Sequence, residues 1–151
     1  MRQHRLTVQD AEATGCCSKG IERFSQGQKS MSVARALRLS RHRKYTYYRD
    51  CVLSVICHKF GLSVSFALSC LEAVTCENVE IYVDGTRRAQ ARSEEPDVSP
   101  AVIRCNRQDA ATDAAWAASS AAQAALYTKS ELDRQDQWIL DHLPALDKEC
   151  R

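Results

Sequence analysis

The chain is 151 residues long, 44% hydrophobic and 26% charged, with a formal net charge of +2. That length suits one folded domain able to bury a core without staples, and the composition lies in the globular range. No run approaches the roughly eighteen apolar residues of a membrane span, so no membrane partner is expected.

The N-terminal MRQHRLTVQDAEATGCC is basic but lacks a following apolar stretch, which predicts the absence of a secretory signal and a cytoplasmic, reducing location. In that setting the eight cysteines (Cys16, Cys17, Cys51, Cys57, Cys70, Cys76, Cys105 and Cys150) are read as free thiols, several of them small buried hydrophobes. The charge is polarised. Residues 1–50 carry eleven Lys and Arg against four acids, whereas the two following thirds are each slightly acidic. An excess of this kind suits contact with an acidic partner, whether nucleic acid, a protein face or the chain's own acidic half.

Residues 1–30 have few large apolar groups (Leu6, Val8, Ile21 and Phe24) among glycines and polar residues, and are expected to form a flexible arm. Met31 offers an alternative translation start. From there MSVARALRLSRHRKYTYYRD places Val33, Leu37 and Ser40 or Arg41 at helical spacing, which predicts a short basic helix. YYRDCVLSVICHKFG is a stronger helix, with Val52, Leu53, Val55, Ile56 and Phe60 on a wide apolar face and Gly61 as its stop. LSVSFALSCLEAVTC fits a strand at period two and a helix at period 3.6. Its fifteen uninterrupted residues favour the helix, with Ser63 as cap and Val64, Leu68 and Leu71 as the apolar stripe.

NVEIYVDGTRRAQAR carries the clearest β signal: Val79, Ile81 and Val83 alternate with polar neighbours, and Asp84-Gly85 is a favoured hairpin pair. A single hairpin is expected near residues 79–91, with a helical end and loop as the alternative. SEEPDVSP reads as a linker. Ser99-Pro100 then starts a helix, and no breaker follows until about Lys129. KSELDRQDQWILDHLPAL continues as the same rod or, beyond a kink, as a second helix capped by Ser130 with Leu132, Trp138, Ile139 and Leu143 inward and Pro144 as the stop.

Within the long tract, DAATDAAWAASSAAQAAL has ten alanines in eighteen residues. Alanine favours the helix and lets neighbouring backbones approach closely, while contributing little apolar area of its own. The tract is read as the central helix of a bundle, anchored by Trp116, Leu126 and Tyr127, or as an interface with a partner or second copy. In the interface reading Trp116, Leu126, Tyr127 and Trp138 are the contact residues. Together with the polar KSELDRQDQWILDHL that follows, the tract resembles the C-terminal region of bacterial and phage-associated alanine-rich putative immunity proteins. The resemblance covers about 45 residues, and implies a small helical protein that acts by binding another protein.

No phosphate-binding glycine loop, nucleophile elbow, zinc-protease helix or dinucleotide fingerprint is present in the chain, and no cofactor is expected. Cys51, Cys57, His58, Cys70 and Cys76 are the densest set of possible metal ligands, but Cys51 and Cys57, like Cys70 and Cys76, are six residues apart, which is unlike the close pairs of structural zinc sites. Cys57-His58 lies in an apolar run, where a thiol is inert. His4, His42 and His142 are equally unselected as bases, so a non-enzyme is expected. The adjacent Cys16-Cys17 would form a strained disulfide with each other, which argues against a redox role for that pair. The expected fold is a mainly α bundle over residues 31–146 with a short tail at 147–151. Its expected function is non-enzymatic protein binding or self-association. The alternative partner is nucleic acid, met by Arg35, Arg38, Arg41, Arg43, Lys44 and Arg49 at phosphates, with Tyr45, Tyr47 and Tyr48 stacking on bases.

Overall fold

The computed structural model describes residues 3–145, and in it the alanine-rich tract is the spine. Helix α7 (Pro100–Ala124) is 25 residues long, about 38 Å at the helical rise. It begins where the sequence predicts: the Ser99 side chain accepts from the Val102 amide and Pro100 occupies the first turn. Eight alanines (Ala110, Ala111, Ala114, Ala115, Ala117, Ala118, Ala121 and Ala122) are buried along it. Their methyl groups fill the seams against α4 (Arg49–Phe60), α5 (Ser63–Ala73), α6 (Glu77–Ser93) and α8 (Lys129–His142), all of which pack on α7. The expected anchors do not serve as such. Trp116, Leu126 and Tyr127 are 45%, 86% and 59% exposed, and the bulk comes instead from facing elements, with Phe66, Leu53, Ile56, Val79, Val83 and Ile139 almost fully buried.

Helices α4 and α5 follow their sequence patterns in outline. Val52, Leu53, Val55 and Ile56 are buried, and Gly61 ends α4 in the left-handed region at φ 66°, where a side chain would be strained. α5 is a helix, but its buried line is Ser63, Phe66, Ala67, Ser69 and Cys70 rather than the Val64, Leu68, Leu71 stripe. Small polar residues are tolerated there because Ser69 donates to its own helix at the Phe66 carbonyl. Ser63 lies inside the first turn and makes no cap bond.

The hairpin expected at 79–91 is not formed; α6 runs unbroken through Asp84-Gly85. Val79, Val83, Thr86, Ala89 and Ser93 recur every three or four residues and are buried, whereas Ile81, inward in the strand reading, is exposed. Gly85 marks a close approach of two helices. A Cβ there would lie 2.7 Å from Asp113 Oδ2 of α7. α6 and α7 form the most extensive pairing of the fold, joined by the loop at 94–99 that the sequence marks as a linker.

The two-stranded sheet lies at the other end of the chain: β1 (Arg5–Thr7) pairs antiparallel with β2 (Ser30–Ser32), with Leu6 opposite Met31 and both buried. Residues 3–30, expected as a flexible arm, therefore hold β1, α1 (Val8–Ala13), α2 (Ser18–Ser25) and the first residue of β2. The segment is too poor in apolar groups to fold alone, and it is ordered by docking. Thr7 and Asp10 cap α1 reciprocally, and Asp10 accepts from Lys59 of α4 at 2.7 Å. α3 (Val33–Arg41) is the predicted basic helix, with Val33, Ala36, Leu37 and Ser40 inward. α8 is a separate helix capped by Thr128 rather than Ser130, and it ends before Pro144. The expected tail at 147–151 and Cys150 lie outside the described residues.

Candidate functional site

The turn between α7 and α8 departs furthest from what local preferences dictate. α7 closes with two bonds beyond its last turn, the Leu126 amide donating to the Gln123 carbonyl at 3.0 Å and the Tyr127 amide to the Ala122 carbonyl at 2.7 Å. This is the Schellman arrangement, and its first residue past the cap adopts a left-handed conformation that usually selects glycine. α4 follows that preference with Gly61, whereas α7 places Leu126 there at φ 56°, followed by Tyr127 at φ 52°. Each side chain costs about 1–2 kcal/mol in that region, yet neither is buried in return. Leu126, at 86% exposure, is one of the barest large side chains in the structure.

The other expected contact residues occupy different surroundings. Trp116, in the C-terminal half of α7, stacks on Tyr82 of α6 with centroids 6.0 Å apart and rings inclined by 20°. Trp138 leans on Phe66 of the core at 5.4 Å and is covered by His142, which stacks on it at 3.9 Å and hydrogen-bonds to its carbonyl. No ring contact among the described residues joins Trp116, Tyr127 and Trp138, so the turn, the Trp116–Tyr82 stack and Trp138 are separate features.

The basic segment is divided by α8. Arg41 pairs with Asp133 and, at 3.5 Å, with Asp136, while Arg49 binds Asp136 at 2.7 Å and also donates to Gln135 Oε1 and Ser40 Oγ. Arg49 and Asp136 are nearly buried. Gln135, fully buried, donates to the Ala118 carbonyl of α7 and to Glu131. These bonds tie α3, α4, α7 and α8 together, so Arg41 and Arg49 serve the fold. Arg35 donates to Gln28. Tyr45 and Tyr48 pack edge-on against Phe24. Exposed side chains remain at Arg38, Arg43, Lys44 and Tyr47, the last 88% exposed. A single sequence hides this division because nothing in it indicates that Asp133 and Asp136, one turn apart, face Arg41 and Arg49.

The ionisable groups of this network respond to it. Burial would raise the Glu131 carboxyl, but hydrogen bonds from Arg134 and Gln135 outweigh burial and hold it below the usual glutamate range. Asp133 is held below its ordinary value by Lys129 and Arg41.

The thiols separate into two neighbourhoods. Cys57 and Cys70 are fully buried in the core, where burial pushes both up, Cys70 to about 11; this is the reverse of what an attacking thiolate needs. His58, beside Cys57, is lowered by burial and by Arg107. Cys51 leaves this set altogether and shares the lining of two cavities with Cys16, an association the sequence spacing does not reveal. Among the described residues, no group of three or more His, Cys, Asp or Glu side chains stands together as a metal site. No described helix is long and apolar enough to cross a membrane.

Comparison with protein-family models, with curated proteins and with solved structures gives no match to this chain.

Proposed function

We propose that this chain acts by binding another protein, with Leu126 and Tyr127 of the α7–α8 turn at the centre of the contact. The observation that carries this reading is Leu126 itself, an apolar side chain 86% exposed at a left-handed position suited to glycine. Strain kept at an exposed site that contributes nothing to packing is accounted for when the side chain is buried elsewhere, in a complex. Burying such a leucine is worth about 1.5–3 kcal/mol, and the rigid Schellman closure presents it with little further loss of freedom. The resemblance of the C-terminal segment to immunity-type proteins is in keeping with this mode of action.

Nucleic acid is the second reading, favoured by the exposure of Tyr47, which packs edge-on against Tyr48, together with that of Arg38, Arg43 and Lys44. With Arg41 and Arg49 engaged by α8 and Arg35 bonded to Gln28, Arg38, Arg43 and Lys44 give a modest salt dependence, with log K falling by about 2 per decade of salt for a single strand. Size-exclusion chromatography with light scattering, on protein isolated from its own cells at low salt, separates the readings. The protein-binding reading expects a mass above the 16.9 kDa of one chain, absorbance dominated by 280 nm, and return to the single-chain mass for Leu126→Asp. An integral multiple of the chain mass identifies the partner as a second copy. A peak rich in 260 nm absorbance that salt abolishes, unchanged by Leu126→Asp, replaces this reading with the nucleic-acid one.

A further inference from the structure

We propose that Cys16 and Cys51 form a dithiol site that undergoes reversible thiol–disulfide exchange with low-molecular-weight disulfides. The two thiols come from different parts of the chain, Cys16 from the connection between α1 and α2, and Cys51 from the first turn of α4. The two side chains line the same two cavities, and each perturbs the titration of the other. Among the described residues, they are the only two that line both of two adjoining cavities. One is an apolar cavity of about 90 Å³ beneath α1 and α2, lined by Leu6, Phe24, Met31 and Val52; the other is a cleft of about 220 Å³ that opens beside Trp116. The two cysteines thus stand where the cavities adjoin. Cys51 is exposed and Cys16 half-buried, so an incoming disulfide reaches Cys51 first.

The chemistry follows from that order. The neighbouring Cys16 thiol lowers the Cys51 thiol against the opposing effects of burial and Asp50, while Cys16 itself is raised. The position in the first turn of α4 favours the same thiolate. The Cys51 thiolate attacks one sulfur of the disulfide, an S–S bond forms, and one small thiolate leaves. Cys16 then gives up its proton to solvent and attacks the Cys51 sulfur, closing the Cys16–Cys51 bond and expelling the second small thiolate; excess small thiol reverses both steps. Cys17, whose sulfur accepts the Gly20 amide at the start of α2 at 3.4 Å, lines the apolar cavity but not the cleft beside Trp116. A bond between the adjacent Cys16 and Cys17 would be strained in any case.

The test equilibrates the full chain with glutathione and glutathione disulfide mixtures, quenches and alkylates it, and maps linked peptides by mass spectrometry. The expected linkage joins the Cys16 and Cys51 peptides in the unaltered chain and persists in Cys17→Ser. In Cys16→Ser, glutathione accumulates on Cys51, and in Cys51→Ser at least tenfold less accumulates on Cys16. Exposed Cys105 on α7 is the internal reference. The proposal is overturned by a dominant link through Cys17, or by Cys51 remaining reduced in the unaltered chain under conditions that glutathionylate Cys105. The unaltered chain decides both points whether or not the variants fold.

Discussion

Replacing Leu126 by glycine separates function from stability. The left-handed conformation at φ 56° is strained by a side chain by about 1–2 kcal/mol, which glycine removes. Glycine is also freer in the unfolded chain, an opposing effect of about 0.5–1 kcal/mol. Loss of burial adds almost nothing, since the leucine is 86% exposed. The net expectation is a stabilisation of about 0.5–1 kcal/mol, or a rise in Tm of roughly 1–4 °C for a domain of this size. The same change removes the proposed contact, so affinity for the partner should fall by about 2 kcal/mol, roughly thirtyfold. Thermal unfolding by circular dichroism and titration of the isolated partner read the two effects. A variant destabilised by more than about 1 kcal/mol would show that Leu126 supports the fold, and unchanged affinity would remove it from the interface.

Three further outcomes test the surrounding structure. Asp136→Ala strips Arg49 of its charged partner in a nearly buried setting while Ser40 and Gln135 still accept from it, so a loss of about 2 kcal/mol is expected in urea unfolding; a loss under about 0.5 kcal/mol would mean that the network does not hold α8. Ala114→Leu places a larger side chain in a fully buried seam of α7 and should destabilise by about 1–3 kcal/mol; a neutral result would contradict close packing there. Glu131, held below its usual range in the folded chain, contributes stability that is complete above its unfolded value near pH 4.3 and is lost as pH falls through its lower folded value. Thermal melts from pH 6 to pH 2 should therefore show a smaller acid-side drop for Glu131→Gln; superimposable slopes would refute the assignment.

Much of the fold was legible because most helices carry their own signals: the apolar face and glycine stop of α4, the Ser99-Pro100 start of α7, and the alanines that make α7 a spine. Apart from the local caps of α5 and α8, the departures from the sequence pattern turn on contacts made far away in sequence. Gly85 looked like a turn residue, but its missing Cβ makes room for Asp113 of α7. Residues 3–30 looked too polar to fold, but Leu6 pairs with Met31 and Asp10 with Lys59. Of the candidate site, Leu126 and Tyr127 were singled out from size alone, as core anchors or contact residues; their left-handed backbone and exposure became visible only with the helix end in place. The arginines at 41 and 49 looked like phosphate ligands for the same reason that they make ion pairs, because positive charge alone does not specify its partner.

The most direct test of the central claim is site-specific photocrosslinking in the cells that make the protein, with p-benzoylphenylalanine at position 127 and, as a control, at exposed position 88 of α6. A discrete protein adduct is expected from position 127, abolished by Leu126→Asp and not given by position 88. Adducts from both positions alike, or nucleic acid in place of protein at position 127, would contradict the claim.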